Sequence, residues 1–162
     1  MDRQLRVMLD TNVYEFLELQ YLDPLSKLIN EKKIVIYGCR VVRKELRDIP
    51  RTAKLKGKSL RNILLGIYDK LTQNHDYQLD SIAENIAEQY WKEYEGGISK
   101  RKLMDDFKIV AISSMHNLDI IVSEDNHSMA SGSAKTAFSK ANKINQLREP
   151  VFYSLKEFAK LL

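Results

Sequence analysis

Short apolar segments alternate along the chain with stretches of helical periodicity, and this alternation limits the possible folds more than any other feature. Four segments are rich in residues that favour β-strands: 5–9, 34–37, 119–123 and 151–153. Strands that are separated by helices pair in parallel and need helices on both faces of the sheet. The sequence therefore predicts an α/β fold with three layers (α/β/α) around a short, mainly parallel central sheet.

The periodicity also predicts where the helices lie. Helices are expected over 12–22, 23–29, 41–49, 60–71, 81–94, 102–116 and 136–147, with a terminal helix from Leu155. We expect residues 50–59 to be a basic connector and residues 126–139, which are rich in small polar side chains, to be a mobile loop. A chain of 162 residues has the length of one domain. We therefore expect one domain over 1–162, with a helical insertion at about 60–97.

The composition excludes several classes of protein. With 44% hydrophobic and 30% charged residues, it is typical of a globular protein and not of a disordered or repetitive one. The longest apolar runs are far shorter than a membrane helix, and the N-terminus lacks the apolar core of a signal peptide. The single cysteine, Cys39, cannot form an internal disulfide, which fits a reducing compartment. These features predict a cytoplasmic protein with no membrane partner.

The positive charge is concentrated in one part of the chain. The net charge is only +4, yet residues 40–61 contain nine Lys or Arg and two Asp or Glu, a local excess of +7. Two interpretations of this run are open. It is either a solvated helix face and loop, or a surface that attracts the phosphates of a nucleic acid.

Acidic residues stand at or near the ends of the predicted strands. Asp10 follows the first strand directly and Asp125 lies just beyond the third, while Glu45 and Asp106 lie on predicted helices. Carboxylates that a parallel sheet brings to one edge repel one another and raise one another's pKa, so a stable cluster generally needs a bound cation. Carboxylate oxygens suit Mg²⁺ or Mn²⁺ and not zinc.

Each acid taken alone also has an ordinary structural explanation. Asp10 could cap the helix that follows it, and Glu45 could be a surface ion-pair partner. Asp105 and Asp106 would favour a helix dipole, and Glu124 and Asp125 could be turn residues. The order of the acids along the whole chain is therefore more informative than any one of them.

Four blocks resemble the acidic motifs of the PIN-domain ribonuclease family, in the same order: VMLDTNVY at 7–14, VVRKEL at 41–46, DDFKIVAIS at 105–113 and IVSEDNHSM at 121–129. The first has the family's strand followed by Asp-Thr-Asn. The third has a hydrophobic residue at +3 and Ala at +5 from the Asp, which selects Asp106 over Asp105. The fourth has a strand, Ser, any residue and then Asp. The closing VFYSLKEF is similar to the family's last strand and helix.

The resemblance implies a PIN-like, VapC-like endoribonuclease that hydrolyses RNA phosphodiester bonds with one or two Mg²⁺ or Mn²⁺ ions. The residues that match the family's catalytic and metal-binding positions are Asp10, Glu45, Asp106 and Asp125. Thr11, Asn12 and Ser123 would orient those carboxylates or contact phosphate. Basic residues would hold the RNA backbone, and Lys54, Lys56, Lys58 and Arg61 are the candidates.

Several alternatives stay open within and outside this family. The chain is compatible with a toxin restrained by an antitoxin protein and with a processing nuclease, and a homodimer is a further compatible state. About 60 residues separate the second and third acids, which is long for the small toxins of the family and weakens any transfer of their dimer and antitoxin geometry. From another class, the chain could be a non-catalytic PIN-like module for RNA binding or assembly.

Overall fold

The computed structural model describes residues 3–162, apart from the side chains of Glu18 and Leu19. Its strands are β1 (Leu5–Leu9), β2 (Ile34–Cys39), β3 (Lys54–Leu55), β4 (Lys58–Ser59), β5 (Asp76–Tyr77), β6 (Ile120–Val122) and β7 (Val151–Tyr153). Its helices are α1 (Val13–Gln20), α2 (Leu22–Asn30), α3 (Arg40–Arg47), α4 (Leu60–Thr72), α5 (Ser81–Glu93), α6 (Lys100–Met115), α7 (Gly132–Ile144) and α8 (Leu155–Ala159).

The central sheet has five strands in the order β5-β2-β1-β6-β7, and every neighbouring pair is parallel. The chain first builds outward from β1 through β2 to β5, and then returns to the other side of β1 to add β6 and β7. The order thus reverses between β1 and β6. The prediction of a three-layer α/β/α fold with a parallel sheet is confirmed.

The strands in the middle of the sheet are covered on both faces. Val7, Met8 and Leu9 have no exposed surface although neighbouring side chains in a strand point to opposite faces. Helices α1, α2 and α4 pack together against one face, and α5, α6 and α7 pack together on the other. Helix α3 contacts both α4 and α6. This arrangement puts α3 at the edge of the sheet where the acids were expected.

The structure corrects three local predictions. Residues 50–59 are not a plain connector, because they contain the antiparallel hairpin β3–β4. Strand β5 was missed because it has two residues and no apolar run. Helix α7 begins at Gly132, inside the predicted loop 126–139, because the Ser131 hydroxyl accepts a hydrogen bond from the Ala134 N–H at 3.2 Å and caps the helix.

Other helix boundaries differ from their predictions by a few residues at either end, as helix ends commonly do. None of the helices in residues 3–162 combines the length and the apolar composition that a membrane crossing requires.

The pair Gly38 and Gly66 tests the packing of α4 on β2. A Cβ at Gly38 would overlap the hydroxyl and ring of the buried Tyr68, whereas a Cβ at Gly66 would meet nothing within 4 Å. We expect Gly38→Ala to lower the free energy of unfolding by about 1–3 kcal/mol. Gly66→Ala should raise it by about 0.5–1 kcal/mol, because Ala favours an exposed helix interior. Urea denaturation of both variants measures the difference, and equal effects would contradict this packing.

Candidate functional site

The acidic residues converge where the strand order reverses, at the carboxyl ends of β1 and β6. Leu9 is paired with Val122, so Asp10 and Ser123 leave the sheet side by side. The Asp10 N–H donates to the Val122 carbonyl at 2.9 Å. In open parallel sheets the crevice beyond such a reversal is the usual place for a ligand.

Asp10 is held in position by neighbours on both strands. Only 4% of its surface is exposed. The Ser123 hydroxyl donates to Asp10 Oδ2 at 2.8 Å, and the Thr11 N–H donates to Asp10 Oδ1 at 2.8 Å. Its carboxylate therefore does not cap α1, whose N-cap is Asn12 with no side-chain capping bond. Burial, and then the charge of Asp125, raise the pKa of Asp10 despite these two hydrogen bonds.

Asp125 is fixed by the backbone of its own loop. Its N–H donates to Ser123 Oγ at 3.0 Å, so Ser123 connects Asp125 to Asp10. Asp125 Oδ1 accepts from the N–H groups of His127 at 3.2 Å and Ser128 at 2.9 Å. The loop thus holds this carboxylate at the edge of the sheet.

The two acids at the middle of α6 have different environments. Asp105 is exposed and forms a long ion pair with Lys108 at 3.9 Å. Asp106 points toward the other acids, and its Oδ2 accepts from the Ser128 hydroxyl at 3.0 Å. Burial and the charges of Asp10, Asp125 and Glu45 raise the pKa of Asp106 to about 8.

Glu45 lies on α3 and faces the cluster from a different element. It forms no ion pair in the described residues, so it is not a surface ion-pair partner. Its Oε1 and the hydroxyl of Thr11 are both buried, and neither has a hydrogen-bond partner there. Burial and the charge of Asp10 raise the pKa of Glu45 to about 7, with smaller effects from Asp105 and Asp48, although the nearby Thr11 side chain lowers it.

Ser128 is the cluster residue that sequence reasoning missed. Its hydroxyl contacts both Asp106 Oδ2 and Asp125 Oδ2. A hydroxyl has one proton, so it can donate to only one of the two carboxyl groups, and the other contact is favourable only when that group is protonated. The signal available in the sequence was weak, a Ser three residues after an Asp in a polar loop.

The other predicted polar residues have different surroundings. Ser123 contacts Asp10 and Asp125 as described above. The backbone of Thr11 supports Asp10, and its hydroxyl lies buried without a partner. Asn12 is exposed, and its Oδ1 accepts from the Glu124 N–H at 3.4 Å, so it connects the start of α1 to the β6 loop. Glu124 points away, where it accepts from the Leu155 N–H at 2.6 Å.

The donor atoms suit a hard divalent cation. They are carboxylate oxygens, burial and neighbouring charges raise the pKa of Asp10, Glu45 and Asp106, and Glu45 Oε1 has no hydrogen-bond partner in the described residues. As the side chains stand, however, no three His, Cys, Asp or Glu residues in 3–162 are arranged so as to hold a metal ion. The connection between Asp106 and Asp125 is made by the Ser128 hydroxyl.

The basic run surrounds Glu45 along the chain. Of its nine cations, Arg40 pairs with Asp76 at 3.3 Å and Arg43 pairs with Asp69 at 3.5 Å, and the other seven form no ion pair in the described residues. Lys54, Lys56 and Lys58 are exposed on the hairpin, whose turn has positive φ at Lys56 (52°) and Gly57 (79°). Arg61 is partly exposed in the first turn of α4.

The comparison with known proteins identifies the fold. No family model and no curated protein matches the sequence. Among solved structures, a chain of VapBC2 from Rickettsia felis bound to a promoter DNA fragment aligns with a TM-score of 0.54 at 14% identity, over 93% of this chain and 98% of that one. FitAcB from Neisseria gonorrhoeae aligns with a TM-score of 0.50 at 20% identity, over 91% and 96%. FitAB bound to an IR36 DNA fragment aligns with a TM-score of 0.52 at 19% identity, over 91% and 94%.

The fold is PIN-like and similar to that of the aligned chains of VapBC2 and FitAB. At these identities the likeness concerns the fold alone. It agrees with the family resemblance of the four acidic blocks.

Asp105 and Asp106 form a matched pair for testing the electrostatics of the cluster. Folding raises the pKa of Asp106 from 3.8 to about 8. The native state then binds this proton more tightly than the unfolded chain, so stability is lost as the pH rises from about 4 to about 8. In EDTA, the stability gained by Asp106→Asn over wild type should grow by about 1–3 kcal/mol between pH 5 and pH 8.

Asp105→Asn removes the same charge from an exposed neighbour. Its effect on the free energy of unfolding should stay nearly constant over this range. Guanidinium denaturation at the two pH values measures both variants. If the two substitutions show the same pH dependence, Asp106 is not in the environment described here.

Proposed function

We propose that this protein is a Mg²⁺- or Mn²⁺-dependent endoribonuclease that hydrolyses RNA phosphodiester bonds. One observation carries the proposal: Asp10, Glu45, Asp106 and Asp125 converge from three elements and a loop at the carboxyl edge of a parallel sheet, where burial and neighbouring charges raise the pKa of Asp10, Glu45 and Asp106. Folding alone gives no reason to bury repelling acids together. A cation that also binds a phosphodiester supplies such a reason.

The residues of the acidic cluster would have different roles in catalysis. Asp10, Asp106 and Asp125 would hold the cation with Glu45, and Ser123 would keep Asp10 and Asp125 in a fixed relation through its two hydrogen bonds. Thr11 and Asn12 would support the edge of the site. A bound Mg²⁺ or Mn²⁺ would supply a water of lowered pKa and positive charge at the scissile phosphate.

The basic residues would bind the RNA backbone. Lys54, Lys56 and Lys58 project from a hairpin that follows directly after α3, the helix of Glu45, and Arg61 begins the next helix. Their charges are not neutralised by ion pairs in the described residues. Such contacts would attract any RNA strand and carry no sequence information.

We further propose that the chain is one PIN-like domain that acts as the toxin of a toxin–antitoxin pair, with an antitoxin protein as partner and a homodimer as the accompanying assembly. The support is the fold likeness to chains from the VapBC2 and FitAB complexes, together with the resemblance to VapC-like proteins. Co-expression with the product of the adjacent gene, followed by size-exclusion chromatography with light scattering, measures both assemblies.

One observation favours the second candidate, a non-catalytic PIN-like module. The acidic side chains in residues 3–162 do not form a ready-made metal site. A module that only binds RNA or assembles with partners would not need one. The two candidates differ in whether divalent ions bind and whether RNA is cut.

Asp10→Asn tests the catalytic proposal, since it keeps the size of the side chain but removes the charge at the centre of the cluster. Wild type should cut a single-stranded RNA in millimolar Mn²⁺ and stop in EDTA. The cleavage rate of Asp10→Asn should fall by about two orders of magnitude or more. A gel-based time course measures these rates, with Asp105→Asn as the matched control that keeps activity.

The same samples give a readout that does not depend on cleavage. Mn²⁺ should raise the melting temperature of wild type and of Asp105→Asn by binding the native state, and should not raise that of Asp10→Asn. Cleavage that survives both EDTA and Asp10→Asn would contradict the proposal. No cleavage and no thermal shift would support the non-catalytic module.

Replacing the three hairpin lysines tests the RNA surface. In an Asp10→Asn background, Lys54→Ala, Lys56→Ala and Lys58→Ala together should weaken binding to a single-stranded RNA oligonucleotide. The slope of log K against log salt should decrease by about 2, since each phosphate contact contributes about 0.7. Fluorescence anisotropy at several salt concentrations measures this slope. The same change at Lys140, Lys143 and Lys160, which are also exposed, should leave it nearly unchanged.

A further inference from the structure

The outer edge of β2 is only partly covered by its neighbour in the sheet. Strand β5 pairs with β2 at Gly38 and Cys39 alone. Within residues 3–162, no strand pairs with residues 34–37 on that side, so β2 has an open edge beside its first four residues. Such an edge presents unpaired main-chain groups that can bind another extended segment.

The direction of these groups follows from the hydrogen bonds at either end of β2. The Lys33 carbonyl accepts from the Leu5 N–H at 2.9 Å and so faces β1, while the Gly38 N–H donates to the His75 carbonyl at 2.7 Å and so faces outward. Main-chain groups alternate in direction along a strand. The N–H and C=O groups of Ile34 and Ile36 therefore face outward.

A groove lies along this open edge. A cavity of about 450 Å³ is lined by residues 34–37, by Gln4 and His75, and by residues at the ends of α2 and α4. A second cavity of about 130 Å³ shares Asn30, Leu71 and Gln73 with the first and continues it to Ser26 and Lys70. The hydroxyl of Ser26 is buried without a hydrogen-bond partner in the described residues.

The positive charge of the groove favours an acidic occupant. Its walls contain Lys32, Lys70 and His75 and no Asp or Glu. Neither lysine forms an ion pair within the described residues. An open strand edge requires an extended main chain, and unpaired lysines at the rim favour carboxylates on that chain.

We propose that the open edge of β2 is a docking site for a short, extended, acidic segment of another protein, which adds to the sheet as a strand beside residues 34–37. The segment's main chain would pair with Ile34 and Ile36. Its side chains would enter the cavities along this edge, and its carboxylates would contact Lys32 and Lys70. This site is separate from the acidic cluster and does not depend on the proposed nuclease activity.

The test uses the full chain and an unbiased probe, a displayed library of random ten-residue peptides. We expect the selected peptides to be rich in Val, Ile and Thr with Asp or Glu, and to lack Pro at their centre. A selected peptide should slow hydrogen–deuterium exchange at the amides of Ile34 and Ile36. Lys32→Glu with Lys70→Glu should weaken its binding at least about tenfold in fluorescence anisotropy, an effect of the size expected for reversing two contacting charges.

Lys140→Glu with Lys143→Glu makes the same change in charge on the exposed face of α7 and should leave peptide binding unchanged. The proposal is overturned if no peptide is selected, if the selected peptides are basic or unaffected by Lys32→Glu with Lys70→Glu, or if protection appears elsewhere. It is also overturned if an RNA oligonucleotide displaces the peptide from the β2 amides. Self-association of the chain that Lys32→Glu weakens, seen by sedimentation, would make a second copy the occupant and would likewise overturn it.

Discussion

The parallel pairing of β1 with both β2 and β6 is the constraint on which the acidic cluster depends. Because Leu9 is opposite Val122, Asp10 and Ser123 emerge together and their side chains bond. A slip of one residue in this register would turn each side chain of β1 to the other face of the sheet. Asp10 and Ser123 would then be separated. The register is in turn fixed by burial, since Val7, Met8 and Leu9 are all fully enclosed. The apolar core therefore determines the geometry of the polar site.

The acidic cluster lowers the free energy of unfolding, and hydrogen bonds from neighbouring residues offset only part of this cost. Burial and mutual repulsion raise the pKa of Asp106 to about 8 and that of Glu45 to about 7, so both carboxylates are destabilised as anions near neutral pH. The Ser123 hydroxyl reduces this cost at Asp10, and the Ser128 hydroxyl reduces it at Asp106. Glu45 Oε1 has no hydrogen-bond partner in the described residues. A local arrangement that conflicts with stability in this way is typical of a functional site.

Sequence patterns predicted the parts of the fold that rest on apolar burial. Strands β1, β2, β6 and β7 and the long helices follow from apolar runs and helical periodicity. Strand β5 and the hairpin β3–β4 could not be found in this way, because two-residue strands carry no periodicity and are fixed by tertiary contacts. Helix α7 was started too late because the small polar residues after Ser131 resemble a loop, although Ser131 itself caps the helix.

The candidate site, too, could be predicted only in part from the sequence. The choice of Asp106 over Asp105 came from the family frame, and the structure places Asp106 toward Asp10 and Asp105 in solvent. The role of Ser128 could not be predicted, since it depends on how the Asp125 loop bends back toward α6. Main-chain N–H groups of His127 and Ser128 produce that bend by donating to Asp125. Side-chain spacing along the sequence does not report such contacts.

Because β5 has only two residues, it covers the carboxyl end of β2 and leaves the other end open. Tyr68 contacts both Asp76 and the Cys39 carbonyl, and Arg40 pairs with Asp76 at 3.3 Å, so β5 is fixed at the carboxyl end of β2. Its two residues cannot also cover residues 34–37. Lysines beside an open edge can protect it from pairing with other chains. Protection alone would not require a cavity along residues 34–37, and this cavity is what favours a specific occupant over simple shielding.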